Sequence, residues 1–268
     1  KMNEQKGDAL RPIEIGKSAA VESGLWIKEQ FFCKNIQNIT KKAKNDFVTY
    51  VDIESERKIK KEILAYYPDH EVLGEEEGLA GSGKSYRWIV DPLDGTANFI
   101  QKIPHFSISI ALLQEQEPIA AVVYNPITEE LFTAEKGQGA FLNDEKISVS
   151  QVHDLSDSFA ATGFPFKSQN LTENYSNTFK HLFQSIKGMR RCGSAALDLA
   201  YLAAGRYDFF WEALLMPWDY AAGSLLITES GGKITDFNGN QLNWNSSSVL
   251  ASNRKLYEPV KNIINRFF

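Results

Sequence analysis

The chain has 268 residues, and 29 basic against 34 acidic side chains leave a net charge of −5. That length suffices for one large domain or two modest ones, and 24% charged with 43% hydrophobic residues excludes wholesale disorder and collagen-like or coiled-coil architectures. A mildly acidic balance argues against a nucleic-acid-binding face, yet it leaves an anionic substrate open, because bound cations can supply positive charge locally.

From residue 9 to 32, apolar side chains recur at helical intervals (Ile13, Ala20, Leu25, Ile27, Phe31), which predicts a first helix. A basic segment, Lys41-Lys42-Ala43-Lys44, precedes a second helix. Its predicted N-cap is Asp52 and its predicted core face is Ile53, Ile59, Ile63 and Tyr66, with Pro68 as the stop. From 86 to 150 the period changes to two. Short strands are predicted at 88–90, 106–113, 119–124, 131–134 and 147–149, separated by turn residues such as Asn143-Asp144. The remainder alternates, with strands at 159–162, 207–211 and near Val249 and helices at 170–184, 194–204, 219–230 and from 254 onward.

The first half therefore reads as α+β with an antiparallel sheet and the second as α/β. The seam falls near 151–157, which divides the chain into 1–150, carrying most of the candidate ligands described below, and 151–268, completing the site. No stretch is apolar for long enough to span a bilayer, 106–113 being among the longest, and no secretion signal is legible. A cytoplasmic protein without membrane or nucleic-acid partners is the expectation.

Cys33 and Cys192 stand far apart, outside any CxxC or Cys/His cluster, and are expected to be buried free thiols in a reducing compartment. The four histidines, His70, His105, His153 and His181, show neither HExxH nor paired spacing, and there is no GxSxG elbow. Chemistry then falls to the carboxylates.

One motif misleads. Gly78-Leu79-Ala80-Gly81-Ser82-Gly83-Lys84-Ser85 matches the Walker A expression letter for letter. That motif cradles phosphate because it leads into a helix, whose free N–H groups complete the site. Here Ser85 leads into the strand pattern Tyr86-Arg87-Trp88-Ile89-Val90, and Glu75, Glu76 and Glu77 stand just before it. The segment is expected to be a mobile surface loop.

The strongest signal is Asp91-Pro92-Leu93-Asp94-Gly95-Thr96. A hydrophobic strand delivers Asp91 to its edge, Pro92 is expected to end the ladder, Gly95 allows the turn that returns Asp94 beside Asp91, and Thr96 is placed to cap a short helix. Two carboxylates with the Leu93 carbonyl form an oxygen-only set suited to Mg²⁺. Gly74-Glu75-Glu76-Glu77 follows a short strand and offers further carboxylates. Trp218-Asp219-Tyr220-Ala221-Ala222-Gly223 opens a helix, with Asp219 as its expected N-cap and small residues that allow close packing.

In their order and spacing, these three segments resemble the inositol monophosphatase family of magnesium-dependent phosphomonoesterases, in its bacterial branch. Arg190-Arg191-Cys192-Gly193-Ser194-Ala195-Ala196-Leu197-Asp198-Leu199-Ala200 and Gly205-Arg206-Tyr207-Asp208 extend the resemblance to nearly the whole chain. It implies a layered αβαβα sugar-phosphatase-like fold with the active site between the two halves. It also implies that Glu75, Asp91, Asp94, Asp219 and the Leu93 carbonyl hold two or three Mg²⁺ ions. The family often has isoleucine where Leu93 stands, and only the carbonyl binds.

By the same resemblance, Glu76 occupies an acidic position that shapes the site. Asp52 and Thr96 match a pair that orients or deprotonates the attacking water, beside the metal held by Glu75. Lys41 matches a lysine on a mobile loop near the metals. Asp94, Gly95, Thr96, the Gly193-Ser194-Ala195 backbone and Glu212 match substrate contacts, and a homodimer is implied.

The chemistry agrees. Four carboxylates would repel a phosphate dianion, whereas bound Mg²⁺ reverses the local charge, acidifies the attacking water and stabilises the departing alkoxide. Helix N-termini near Thr96 and Ala195 are expected to add partial positive charge around the phosphate. The predicted activity is in-line hydrolysis of a small phosphate monoester, inositol monophosphate foremost, with broad specificity. NADP(H) 2′-phosphate, fructose 1,6-bisphosphate and 3′-phosphoadenosine phosphates are the alternatives on the same fold. Glu212 suits a polyol hydroxyl, Arg190 and Arg191 suit a second phosphate or a subunit interface, and Thr162-Gly163-Phe164-Pro165-Phe166 is expected to border the leaving group. A regulatory or binding protein with secondary phosphatase activity is the alternative of a different class.

Overall fold

Period-two runs build sheets, and the computed structural model shows two of them separated and covered by helices. It describes residues 10–33, 40–43, 46–83, 85–164, 166, 168–243 and 245–268, the side chains of 41–43, 46 and 47 lying outside that description.

In chain order the first half runs α1 (Pro12–Phe32), β1 (Thr40–Ala43), β2 (Asp46–Val48), α2 (Tyr50–Tyr66), β3 (Glu71–Gly74), β4 (Gly78–Gly81), β5 (Tyr86–Asp94) and α3 (Thr96–Ile100). A run of antiparallel strands follows: β6 (Ser107–Gln114), β7 (Glu117–Asn125), β8 (Glu130–Glu135), β9 (Gly139–Leu142) and β10 (Glu145–Ile147). The second half comprises β11 (Phe159–Thr162), α4 (Thr172–Phe183), β12 (Gly188–Arg190), α5 (Ala195–Ala203) and β13 (Phe209–Ala213). It closes with α6 (Pro217–Glu229), β14 (Gly232–Thr235), β15 (Ser248–Asn253) and α7 (Tyr257–Ile264).

The large sheet has eight strands in the order β10-β9-β8-β7-β6-β5-β3-β4, antiparallel throughout except where β3 runs parallel to β5. The small sheet has five in the order β12-β11-β13-β15-β14, with β11 parallel to both neighbours and β15 antiparallel to both of its own. β1 and β2 form a separate hairpin.

Alternation along the strands sorts side chains into three apolar clusters. Trp88, Val90, Ile108, Ile110 and Leu112 face α1 and α2, while Ile89, Ala111 and Leu113 face α5 and α6. On the small sheet, Phe210, Val249 and Ala251 join that middle cluster, and Phe209, Trp211 and Leu250 face α7 and α4. The result is the five-layer αβαβα order, with α5 and α6 buried on both sides. Complete burial of each such side chain stabilises by about 1.5–3 kcal/mol. Close contact demands small residues: a Cβ on Gly24 of α1 would stand 2.5 Å from the Tyr124 ring, and one on Gly223 of α6 would stand 2.5 Å from Leu199. Among the described residues, no helix is long and apolar enough to cross a membrane.

Several sequence expectations need correction. Asp52 is not the N-cap of α2; Thr49 is, and Asp52 sits in the first turn of a capping box. Tyr66, the last residue of the helix, is 54% exposed instead of facing the core, since the buried face ends at Ile63. Pro92 does not end the ladder: β5 continues past it, pairing Asp91 with Ser109 and, after a bulge, Asp94 with Ser107. Asp219 likewise lies in the first turn of α6 behind the N-cap Met216, and Thr96 is the first residue of α3 behind Gly95, without a capping bond of its own.

Strands β1, β2, β4, β9, β12 and β14 were not predicted; all are short, three or four residues each. The 170–184 helix opens with a 3₁₀ turn, Gln169–Leu171, and the last helix starts at Tyr257. Cys33 is exposed and Cys192 half-buried, so neither is the buried thiol expected.

The Walker-like segment is not simply a loop. Gly78–Gly81 forms edge strand β4, antiparallel to β3, and Ser85 leads directly into β5 without a helix. Lys84 lies outside the described residues. Lys84→Ala should leave phosphate-release activity within about twofold of wild type; a collapse of activity would revive the nucleotide-cradle reading.

Candidate active site

The site begins on α2, whose inner face is polar. Asp52 is 1% exposed, and burial raises its pKa above the ordinary range despite its hydrogen bonds. Its Oδ2 accepts from the Thr49 amide at 2.7 Å and the Thr49 hydroxyl at 2.5 Å, while Oδ1 accepts from the Thr96 hydroxyl at 2.7 Å. Ser55, three residues on, donates to the Pro92 carbonyl at 3.0 Å. One helix face thus grips the β5–α3 junction at two points.

That junction carries the carboxylates. The bulge after Asp91 turns the backbone so that the Leu93 amide donates to Asp91 Oδ1 at 3.0 Å, and Gly95 follows at φ +101°. A side chain at Gly95 would be strained by that φ and would stand 3.1 Å from the His105 carbonyl, so the reversal that returns Asp94 to the cleft calls for glycine. Leu93 itself is buried in the apolar layer, leaving its carbonyl on the cleft side, where the Thr96 hydroxyl lies 3.1 Å away.

The second half meets these groups across the seam. Asp94 Oδ2 accepts from the Ser194 hydroxyl at 2.6 Å and the Ala196 amide at 2.8 Å. The N-terminus of α5 is therefore directed at Asp94 through the Ala196 amide. Asn98 adds a second tie, donating to the His105 carbonyl at 2.7 Å and the Cys192 carbonyl at 2.8 Å. Asp219 is oriented by the Met216 amide, 2.7 Å from its Oδ2.

Asp91, Asp94 and Asp219 each bring a carboxylate oxygen within 4.8 Å of the others. Burial pushes Asp91 well up, with Glu75, Asp94 and Asp219 adding repulsion; burial also pushes Asp219 well up, reinforced by Asp94 and Glu75. Asp94 rises to about 6 through burial, opposed by its bonds to Ser194 and the α5 amides. Such a group cannot be fully ionised without a counter-charge, and every donor is a hard oxygen. The donor set therefore fits a magnesium-like divalent cation.

The same cleft is lined by Glu75, Leu93, Gly95 and Thr96 from one side and by Gly193, Ser194, Ala195 and Glu212 from the other. Glu212 lies flat over Gly163, where a Cβ would come within 1.8 Å of its carboxylate. Its pKa is pushed up to about 8 by burial, eased by Arg191 and reinforced by Asp94. Gly163, Phe164 and Phe166 also border the cleft. The side chain of Lys41 lies outside the described residues. Glu76 stands in the turn after β3, and its amide is held by a buried glutamate, Glu56.

Sequence reasoning missed Glu56, Ser55 and Asn98. The polar spacing 52, 55, 56 on a helix otherwise amphipathic was the available signal for the first two; Asn98 gave none. It also missed that folding brings Cys192 beside His105 and Asp198, whose nearest ligand atoms lie within 4.8 Å of one another.

A five-layer αβαβα fold with a cleft of converging carboxylates at its seam is that of a hydrolase acting on phosphate monoesters. The chain belongs to the inositol monophosphatase family, whose sequence model matches residues 10–265. Nus factor SuhB from Escherichia coli (strain K12) is 43% identical over 91% of this chain and 92% of its own length. Inositol-1-monophosphatase from Rhizobium meliloti (strain 1021) is 44% identical over 95% of this chain and 93% of its own. Among solved structures, the extragenic suppressor protein suhB from Bartonella henselae superposes with a TM-score of 0.90 at 38% identity, covering 95% of this chain and 98% of that one. Members of the family are generally metal-dependent.

The carboxylate shifts have a sign. Asp91, Asp94 and Asp219 have folded-state pKa values above the unfolded ones, so the stability they allow is fully present below about pH 4 and is lost as pH rises through the folded values, about 6 for Asp94. In chelator, the melting temperature should therefore fall between about pH 5 and pH 8, and millimolar Mg²⁺ at pH 8 should raise it by about 5 °C or more. Differential scanning calorimetry checks both; a melting temperature indifferent to Mg²⁺ at pH 8 would contradict the cation site.

Proposed function

We propose that this protein is a Mg²⁺-dependent phosphatase of small phosphate monoesters, with inositol monophosphate as the preferred class of substrate and broad tolerance for others. The observation that carries the reading is the convergence of Asp91, Asp94 and Asp219 beside the Asp52–Thr96 pair. Glu75, Asp91, Asp94, Asp219 and the Leu93 carbonyl would hold two or three ions. The chemistry Mg²⁺ supplies when bound is Lewis acidity, neutralising phosphate charge and lowering the pKa of the attacking water.

The protein's own groups do the rest. The Thr96 hydroxyl donates its one proton to Asp52 Oδ1, which leaves the Thr96 oxygen free to accept from the attacking water and align it. Asp52, already accepting two bonds from Thr49, is held rigidly as the acceptor at the end of that chain. Ser194 and the α5 amides fix Asp94, so its remaining oxygen keeps one direction. Glu212 can hydrogen-bond a substrate hydroxyl, while Arg191 on the cleft wall offers charge to an anionic substituent of the leaving group. A polyol phosphate uses the first of these contacts.

A cytoplasmic homodimer completes the reading; the family resemblance supports it, as does the exposed, stacked pair Phe179 and Phe183 on α4. The name of the Escherichia coli relative, Nus factor, favours a second reading in which a regulatory role accompanies hydrolysis.

Asp91→Asn should lower Mg²⁺-dependent phosphate release by at least about 100-fold while leaving the cooperative melt intact. Wild-type protein, assayed over a panel of esters, should prefer inositol 1-phosphate to NADP and fructose 1,6-bisphosphate. A reversed preference would overturn the substrate class, and no release from any ester would favour the regulatory reading.

A further inference from the structure

Buried charge on the inner face of α2 does not end with Asp52. One turn on, Glu56 is 0% exposed, and its partner Lys60, four residues further along the same helix, has a side chain only 8% exposed. Burying two charges costs free energy that is recovered only when their remaining donors and acceptors are satisfied. Here they are satisfied by a single short segment. Glu56 Oε2 accepts from the Glu76 amide at 2.7 Å, and Oε1 accepts from the Glu77 amide at 2.9 Å and from Lys60 Nζ at 2.6 Å. Lys60 Nζ donates in turn to the Gly78 carbonyl at 2.7 Å.

The other end of the segment is held from the opposite side. β3 pairs with β5 as far as Gly74 and Val90, and the Glu75 amide donates to the Val90 carbonyl at 3.2 Å. Gly74 leaves the space that Glu56 needs: a Cβ there would stand 2.1 Å from the Glu56 carboxyl carbon. The turn 74–78 is thus clamped between a strand on one flank and a buried ion pair on the other, with Glu75 between the two holds. Glu75 lines the cleft and lies close enough to Asp91 and Asp219 to raise both.

We infer that Glu56, supported by Lys60, is a positioning residue that sets the direction of the Glu75 carboxylate toward the cleft. Glu56 touches no reacting atom; it acts through the amides of Glu76 and Glu77. Its charge matters because both carboxylate oxygens accept. The isosteric amide of glutamine would turn a donor toward one of those N–H groups and give up the ion pair with Lys60. The inference rests on the proposed reading of Glu75 as a cation ligand.

The test compares the full-length wild type with Glu56→Gln and Glu56→Asp, the second keeping the charge but withdrawing it by one methylene. Mn²⁺ binding is followed by the electron paramagnetic resonance signal of the free ion, alongside the Mg²⁺ half-saturation of phosphate release and kcat at saturating Mg²⁺. Outer partners of metal ligands typically change affinity about 10–100-fold, and Glu56→Gln should weaken Mn²⁺ binding and raise the Mg²⁺ half-saturation within that range. At saturating Mg²⁺, kcat and KM for the ester should stay within about threefold of wild type. Glu56→Asp should shift the same two quantities less, and it carries the test if the glutamine variant does not fold. Folded variants with wild-type Mn²⁺ affinity, or with a lowered kcat and unchanged metal binding, overturn the inference. A wild type that binds no Mn²⁺ overturns the reading of Glu75 as a ligand first and the inference with it, which separates the two failures.

Discussion

Three carboxylates drawn together in one cleft repel one another, and much of the local structure around the seam is shaped by the need to hold them there. Asp91, Asp94 and Asp219 come from a bulged strand and from the first turn of a helix in the other half of the molecule. Hydrophobic burial alone would not assemble them, since each is pushed toward its neutral form by the surroundings that bury it. Each is instead anchored by a donor: the Leu93 amide for Asp91, Ser194 and the α5 amides for Asp94, the Met216 amide for Asp219. These bonds fix direction as well as charge, and direction is what a small, strictly coordinated cation requires.

Helix α2 supplies the frame. Its outward residues are unremarkable, but its inner face places Asp52 and Ser55 against the β5–α3 junction and Glu56 against the turn after β3. Thr96 is held by Asp52, the Pro92 carbonyl by Ser55, and the amides of Glu76 and Glu77 by Glu56. A helix that packed only by apolar contact would tolerate small slips, because hydrophobic attraction is nondirectional. Hydrogen bonds to buried carboxylates do not, since a misplaced partner leaves a charge unpaired. Polar packing at this face therefore costs free energy relative to an apolar core and yields register instead.

The seam adds a second constraint. Asn98 bridges the His105 and Cys192 carbonyls, and Asp94 reaches Ser194 and α5, so the two halves are tied by directional bonds at the point where the proposed chemistry occurs. Below that point the tie is apolar: Ile89 and Ala111 of the large sheet share a cluster with Leu197, Leu226 and Phe210. Rigid apolar packing sets the distance between the halves, and the polar bonds set the angle of each ligand.

Much of this was determined by the sequence alone. Short apolar runs between turn residues in 86–150 specified strands, and the Asp-Pro-Leu-Asp-Gly-Thr run specified a turn because Gly95 alone can adopt φ +101° without strain. The family resemblance, and with it the layered fold, was legible for the same reason: unusual backbone and close packing demand particular residues at particular spacings. Caps were misplaced at Asp52 and Asp219, since an acid near a helix start serves equally at the cap or three residues in and only the hydrogen bond decides, and at Thr96, where Gly95 takes the cap position. The Walker-like letters could not show that Gly78–Gly81 would pair as an edge strand. Only the tertiary structure revealed Glu56, Lys60 and Asn98, whose partners include residues as far as 94 away in the chain. A polar residue on a helix reads as solvated until something distant covers it, and what covers it is decided by packing.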